Sequence, residues 1–468
     1  MHPPKVEYLR NQLSNHISLF FTPRAFDLFH NGRVRFLPLY DAVKTRERVI
    51  AIPYDINVPE TPEEPYRVKF NGTELTLYNR LAQPRDGTWT AIPDESTPMW
   101  YRNEAGGLIP AWNLFGNLYH LLTFGEERGS PHRDSHGRFA ASFSPRAAGG
   151  LLEVPTFNEA AAAIVAAAAG LENNDALLSL DGLVKQPVVM PSHDCDILLG
   201  NDIWTQAVRA VRIFLPLAKL KPPKIGNIWW IARNAVTPRK FYFDNATGMV
   251  DLERCFGYTS TLYLLNGTGG RFGARSKPDS IAELARKVPR QWNIGMHYNY
   301  DTFLNDDRFR AQKEQLRELV GCDIGSGRAH YLKFDPERSF AFLSRHDIEI
   351  DESSGYADRI GYRNGIAGCF QAYDTVADKP LEIWEVPMTI MDAVLVNQYG
   401  KRAIEKFSRL LYHLSRVGGA LSVVFHPGQF FNPEHKHMMG VYHRMLVECR
   451  QVGAVSETAR SLLRKIKG

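Results

Sequence analysis

The sequence predicts an α/β protein with a mostly parallel sheet and crossover helices over residues 181–468, preceded by a smaller α+β domain of unknown role over residues 1–180. Three observations predict it. From Val184 onward, short apolar runs alternate with segments of helical period, the pattern of parallel strands joined by helices. Before that, short strand candidates are separated by Pro- and Gly-rich turns. And 468 residues, 44% of them hydrophobic, exceed what one typical core accommodates, so two domains are the default.

In the first part Arg48–Ile52 and Tyr66–Phe70 read as strands, with a turn at Val58-Pro59-Glu60-Thr61-Pro62 between them. Leu114–Phe124 reads as an apolar helix. Gly125–Arg138, with His132 and His136, reads as an exposed polar loop rather than a metal tract, because no ligand spacing recurs in it. An alanine-rich helix spans Ala160–Gly170, and Leu171–Gly182 is a linker. In the second part a strand begins at Val188–Met190, and Trp204–Leu215 is an amphipathic helix. Ser260–Leu265 is a strand ending in Asn266-Gly267-Thr268-Gly269-Gly270, a plain turn, since the Lys and Ser/Thr of a phosphate loop are missing. There follow a helix at Ser280–Lys287, a strand into His297, a helix at Asp306–Val320, a strand-like stretch into His330 and a helix at Pro336–Arg345. The series closes with a strand at Glu382–Pro387, a helix at Ile404–Val417, a strand at Leu421–Phe425 and a helix at Glu434–Val452.

Composition excludes several functions. The net charge is only +5, and Lys and Arg are scattered rather than striped, so nucleic acid is not an expected partner. No stretch approaches the roughly 20 apolar residues of a spanning helix. Met1–His30 has only a brief apolar run at Ile17–Phe21 and does not read as a secretory signal, so a cytoplasmic location is expected. The five cysteines form no CxxC pair, which suggests neither a thiolate zinc site nor a disulfide framework.

The chemistry-bearing residues lie where the strands end. His193-Asp194-Cys195-Asp196 closes the apolar run Gln186–Met190, and the period-two alternation of a strand sends Asp194 and Asp196 to one face, roughly 6–7 Å apart along the backbone. Two such carboxylates need a cation or a donor beside them. Candidates are His297, Arg328, His330 and His426, each closing or following a strand-like stretch. Taken singly, each has a plainer reading. The aspartates could be a helix cap and a turn residue, with Asn201 and Asp202 close before a helix; His297 could be a buried histidine bonded to a carbonyl; and His426, before Pro427, could be a turn residue. Their convergence on the carboxyl ends of one sheet, where such folds gather their chemistry, favours a site. His435, His437 and His443 read as surface residues of the following helix.

In this order the motifs resemble those of the polysaccharide deacetylases, the NodB-homology group of carbohydrate esterases, in a divergent branch with an extra N-terminal domain. The resemblance implies a distorted (β/α) barrel, with Asp194 as general base and Asp196 as a metal ligand. His297-Tyr298-Asn299-Tyr300-Asp301 resembles the family's paired-histidine motif, with Asp301 in place of the second histidine. Arg328-Ala329-His330-Tyr331 resembles the Arg-x-Pro-aromatic motif, with His330 in place of Pro; His330 is therefore proposed to supply the missing imidazole, with Asp301 as the alternative. Val424-Phe425-His426-Pro427 resembles the last motif with Phe425 inserted, and Asp351–Asp358 with Gly361–Gly365 resembles that branch's intervening segment. N-terminal likeness is confined to Gly116–Leu122 and Asp134–Phe139.

One carboxylate and two imidazoles, here Asp196, His297 and His330, suit a divalent metal, Zn2+ first. Water bound to such a metal ionises with a pKa lowered from 15.7 to about 7 in the best case. Asp194 would take its proton, Arg328 would orient Asp194 and hold its pKa down, His426 would protonate the leaving amine, and Asp358 would support His426. Trp292, Tyr298 and Tyr331 offer flat faces to a pyranose. The expected function is hydrolysis of carbon–nitrogen (amide) bonds, removing N-acetyl or O-acetyl groups from a cell-surface polysaccharide or its precursor, with an acetylated glycan or sugar as partner. Two other readings are a non-catalytic glycan-binding or scaffold protein on a degenerate deacetylase fold, and a hydrolase of a small non-sugar amide.

Overall fold

The computed structural model describes residues 3–56, 66–70, 73–77, 79–84, 89–92, 98–173, 180–198, 241–267, 272–273, 276–289, 292–429 and 438–468, with Ala207, Ala210, Val211, Ile228 and Ala232. Two helices come first, Pro4–Phe20 and Pro23–His30. Each begins with a proline, whose missing N–H costs nothing in a first helical turn. Strands β1 (Val34–Leu37), β2 (Ile50–Pro53), β3 (Tyr66–Phe70), β4 (Thr73–Leu77), β5 (Thr90–Ile92), β6 (Trp100–Arg102) and β7 (Leu108–Pro110) follow. β1, β2, β7, β6 and β5 make one mixed sheet in that order, and β3 and β4 a separate antiparallel pair. Helices Leu114–Leu122 and Thr156–Asn173 complete this part; Asn113 caps the first by accepting from the backbone N–H of Gly116 at 3.0 Å.

The rest of the chain builds the larger sheet from β8 (Val188–Cys195), β9 (Thr261–Leu264), β10 (Asn293–Tyr298), β11 (Ser326–Ala329), β12 (Ile350–Asp351), β13 (Phe370–Asp374), β14 (Lys379–Glu385), β15 (Ile390–Met391), β16 (Ala420–Val424) and β17 (Val455–Ser456). The order is β13-β14-β12-β11-β10-β9-β8-β16-β15, with β17 beside the start of β8. Every pairing is parallel except β13 with β14. The fold is thus α/β, an open, curled half-barrel with crossover helices such as Phe241–Phe256, Asp306–Val320 and Ala403–Val417. The stretch into His330 ends as a strand at Ala329, and His330 opens a single 3-10 turn. The hairpin β13–β14, unforeseen from the sequence, closes one edge. The expected helix Trp204–Leu215 and the turn Val58–Pro62 lie outside the described residues, as do Thr268, Gly269, Gly270, His435 and His437.

One apolar core runs from Val6 to Leu463 and takes in the first helix, the alanine-rich helix and both faces of β8. Ala160 to Ala168 are all buried, which is why the helix is written in alanine: small side chains let it lie close against packed neighbours. Trp292 and Tyr298 are 7% and 6% exposed, held in this core and not free to carry a sugar. Two glycines admit tyrosine rings from neighbouring strands: a Cβ on Gly295 would fall 2.4 Å from the Tyr263 ring, and one on Gly327 2.1 Å from the Tyr298 ring. Among the described residues no helix is long and apolar enough to cross a membrane.

Candidate metal centre and active site

Because β8, β9, β10, β11 and β16 are parallel neighbours, their carboxyl ends open on one side of the sheet. Register then selects the face. Asp194 pairs with Tyr263, Tyr263 with Gly295, and His297 with Arg328, so Asp194, Tyr263, His297 and Arg328 project from one face. Asp196 lies just past the end of β8, His330 just past β11, and His426 two residues past β16.

Asp196, His297 and His330 come together, one ligand atom from each lying within 4.8 Å of the others. His297 Nε2 is 3.1 Å and His330 Nε2 3.6 Å from Asp196 Oδ1. Ligands on a tetrahedral shell with bonds of 2.0–2.1 Å stand about 3.3 Å apart, between these two values. The bonding around the triad also fits a cation. His297 Nδ1 lies 3.0 Å from the Arg328 carbonyl, to which it donates, which leaves Nε2 turned to the anionic Asp196 oxygen, a position where a cation or a proton must intervene. Asp196 Oδ1 is buried without a hydrogen-bond partner among the described residues, although a third of the side chain stays exposed to the cleft. Burial lowers the His330 pKa to about 4, against the pull of Asp196, and so leaves a neutral imidazole able to ligate. Asp301 is not in the cluster; it pairs with Arg308 at 2.6 Å.

Asp194 stands beside the triad, 4% exposed. Its Oδ1 accepts from Arg328 Nη1 at 2.7 Å, and its Oδ2 faces His297 Nε2 at 3.9 Å and His426 Nε2 at 3.8 Å. Burial alone would raise the Asp194 pKa, but the Arg328 guanidinium, with His297 and His426, outweighs it and holds the carboxyl below its usual range. Arg328 is itself fixed on every side. Nη2 donates to Ser192 Oγ at 2.9 Å and to Glu352 Oε2 at 2.8 Å, Nε donates to the Glu352 carbonyl at 3.0 Å, and the guanidinium sits 4.5 Å from the Tyr263 ring centroid.

On the other side of Asp194, His426 is held by Asp392 and not by the expected Asp358. Asp392 Oδ1 lies 3.0 Å from His426 Nδ1, and Oδ2 accepts the His426 backbone N–H at 2.8 Å. Asp358 is exposed and accepts from the backbone N–H of Ala141 at 3.1 Å. The reason is register: β15 pairs with β16, Met391 opposite Val424, which brings Asp392 alongside the turn that carries His426. Burial would depress the His426 pKa, but the charge and hydrogen bond of Asp392, with Asp196 and Asp194 beyond, raise it to about 10. At neutral pH its Nε2 therefore carries a proton on the open side of the cleft. A further layer supports this corner. His193 Nδ1 lies 3.1 Å from the Phe425 carbonyl and Nε2 3.0 Å from Glu253, which also accepts from Tyr442 and from Ser260 Oγ, the latter at 2.8 Å. Asp392, Glu352 and Glu253 escaped the sequence reading. For Asp392 a faint signal existed, an acidic residue directly after the apolar pair Ile390-Met391.

No known family profile and no curated protein matches the chain. Solved structures do. Polysaccharide deacetylases are prominent among the structures this chain is similar to. A Mycobacterium smegmatis protein assigned to the polysaccharide deacetylases is 15% identical over 60% of this chain and 90% of its own, with a TM-score of 0.37. For Puue allantoinase the values are 12%, 60%, 90% and 0.38. For a polysaccharide deacetylase of Bacillus cereus they are 9%, 58%, 92% and 0.29.

Proposed function

We propose that the chain is a metal-dependent hydrolase that removes N-acetyl or O-acetyl groups from a cell-surface polysaccharide or its precursor. One observation carries the reading: a carboxylate and two imidazoles converge on one point, and beside them a second carboxylate is fixed by Arg328 at one oxygen and turned toward His297 and His426 at the other. A divalent cation held by Asp196, His297 and His330, zinc first, would supply Lewis acidity toward a carbonyl oxygen and acidity to a bound water. The protein's own residues do the rest. Asp194, anchored by Arg328, accepts the water's proton on Oδ2. His426, kept protonated by Asp392, donates from Nε2 to the departing nitrogen, which must be protonated before an amide bond breaks. The hydroxyl goes to the acyl carbon and leaves as acetate, and the sugar keeps the amine. The choice of a sugar rests on the motif resemblance set out from the sequence.

The test is release of acetate from N-acetylglucosamine oligosaccharides by protein stripped with chelator and reloaded with zinc, cobalt or nothing. Metal-dependent release that disappears in Asp194→Asn is the expected result. A protein that holds no stoichiometric divalent metal and releases no acetate would overturn the reading and favour a glycan-binding scaffold.

A further inference from the structure

At the mouth of the metal centre four rings from distant segments meet. Tyr331 follows His330, with ring centroids 4.7 Å apart, and remains 40% exposed. Phe272 lies 4.7 Å, His136 5.1 Å and Tyr300 5.9 Å from the Tyr331 ring, and Phe272 4.8 Å from Tyr300. His136 Nδ1 is 3.3 Å from the Tyr300 hydroxyl. Tyr331 sits at φ +61°, a left-handed backbone that a bulky residue adopts only at a cost. Its ring stays 40% exposed, so burial offsets that cost only in part.

His136 comes from the loop 130–141, and the loop is built to hold it still. Asp134 Oδ1 accepts from the backbone N–H groups of His136 at 2.8 Å and Arg138 at 2.9 Å, while Oδ2 accepts from Arg138 Nε at 2.8 Å. Arg138 Nη1 then donates to the Tyr331 carbonyl at 2.7 Å, tying the loop to the residue next to His330. Behind it Phe139 and Ala141 pack with Leu152 and Tyr356, and Asp358 takes the Ala141 N–H. The residue expected at His426 thus anchors this loop instead.

We propose that the loop 130–141 is the substrate-selecting wall of the site: His136 with Tyr331, Tyr300 and Phe272 receives the pyranose whose acetamido group enters the metal centre. The proposal rests on the hydrolase reading for what enters that centre. Flat rings with polar tips match a sugar, which presents C–H groups on one face and hydroxyls around its edge. Lys333 adds a cation to this rim, its Nζ 4.0 Å from the Tyr300 centroid, while the charge of Arg138 is met by Asp134.

The test is binding of N-acetylglucosamine trisaccharide to the full chain, by titration calorimetry and saturation-transfer NMR, with zinc content measured on the same samples. Tyr331→Ala and His136→Ala each weaken binding about three- to tenfold, as loss of one ring contact does. Tyr331→Phe, which keeps the ring and loses only the hydroxyl, weakens binding less than the alanine variant, and Tyr412→Ala, an exposed tyrosine elsewhere, leaves it unchanged. Tyr331→Gly removes the ring while relieving the backbone, and it weakens binding like the alanine variant. A wild-type chain that binds no acetylated sugar, or equal affinity in all variants, overturns the wall. Absence of zinc with ring-dependent binding retained would instead sink the catalytic reading and leave the wall standing.

Discussion

Replacing Arg328 by Met tests the electrostatic heart of the site without any substrate. The guanidinium is fully buried and makes four hydrogen bonds, to Asp194, Ser192 and twice to Glu352. Methionine fills similar space but leaves two carboxyl groups, 4% and 1% exposed, without their cation. Breaking a buried pair from one side costs about 3–5 kcal/mol, against a total stability of about 5–15 kcal/mol. The pH dependence gives a second, independent readout. In the native chain the Asp194 pKa is depressed, so its stabilisation is present above the unfolded value of about 3.9 and is lost as pH falls through the lower folded value. Without Arg328, burial drives that pKa upward, so the variant recovers stability on acidification as Asp194 takes up a proton. Urea unfolding should therefore show a gap between the two proteins that is widest near neutrality and narrows toward about pH 4. A cost under about 1 kcal/mol, or a gap that does not change with pH, refutes the argument.

Three further outcomes are expected. Asp196→Asn or His297→Ala lowers zinc affinity by more than about 100-fold, measured by competition with a chromogenic chelator; Asp301→Asn, whose carboxylate serves Arg308, leaves the stoichiometry intact. Asp392→Asn removes the group that holds the His426 pKa near 10. In the proposed function the protonated ring is the acid, so the alkaline loss of acetate release then begins at lower pH, and an unmoved limb in the pH–rate profile would rule out the His426–Asp392 assignment. Gly327→Ala forces the Tyr298 ring out of its slot and costs about 1–3 kcal/mol by thermal unfolding, whereas Gly440→Ala, on a helix with nothing within 4 Å, is neutral or stabilises by up to about 1 kcal/mol.

Strand ends were the most legible part of this chain, and the physical reason is simple. A parallel strand buried on both faces is a short apolar run, and the first titratable residues after it stand out, as Asp194, His297 and His426 do. What could not be read was lateral order. Asp392 and His426 are 34 residues apart, and nothing local says that β15 lies beside β16; only the ladder does. Asp358, in a segment rich in acids and glycines, looked equally suited and turned out to face solvent. The first helix was legible but unread: Val6, Leu9, Leu13, Ile17 and Phe20 recur at helical spacing and are all buried. The loop with His136 looked polar and free because its anchors, the Tyr331 carbonyl and Asp358, are 193 and 217 residues away.

The tyrosine–glycine slots between β9, β10 and β11 bear on more than packing. A one-residue slip of β10 would swap the sides on which His297 and Tyr298 project and take His297 away from Asp196 and His330 at a stroke. Tyr263 over Gly295 and Tyr298 over Gly327 make that slip sterically expensive, since the ring would meet a side chain wherever the glycine had moved away. The two pairs therefore act as a ratchet pawl for the sheet: they keep the alignment that brings Asp196, His297 and His330 together, from positions outside that cluster.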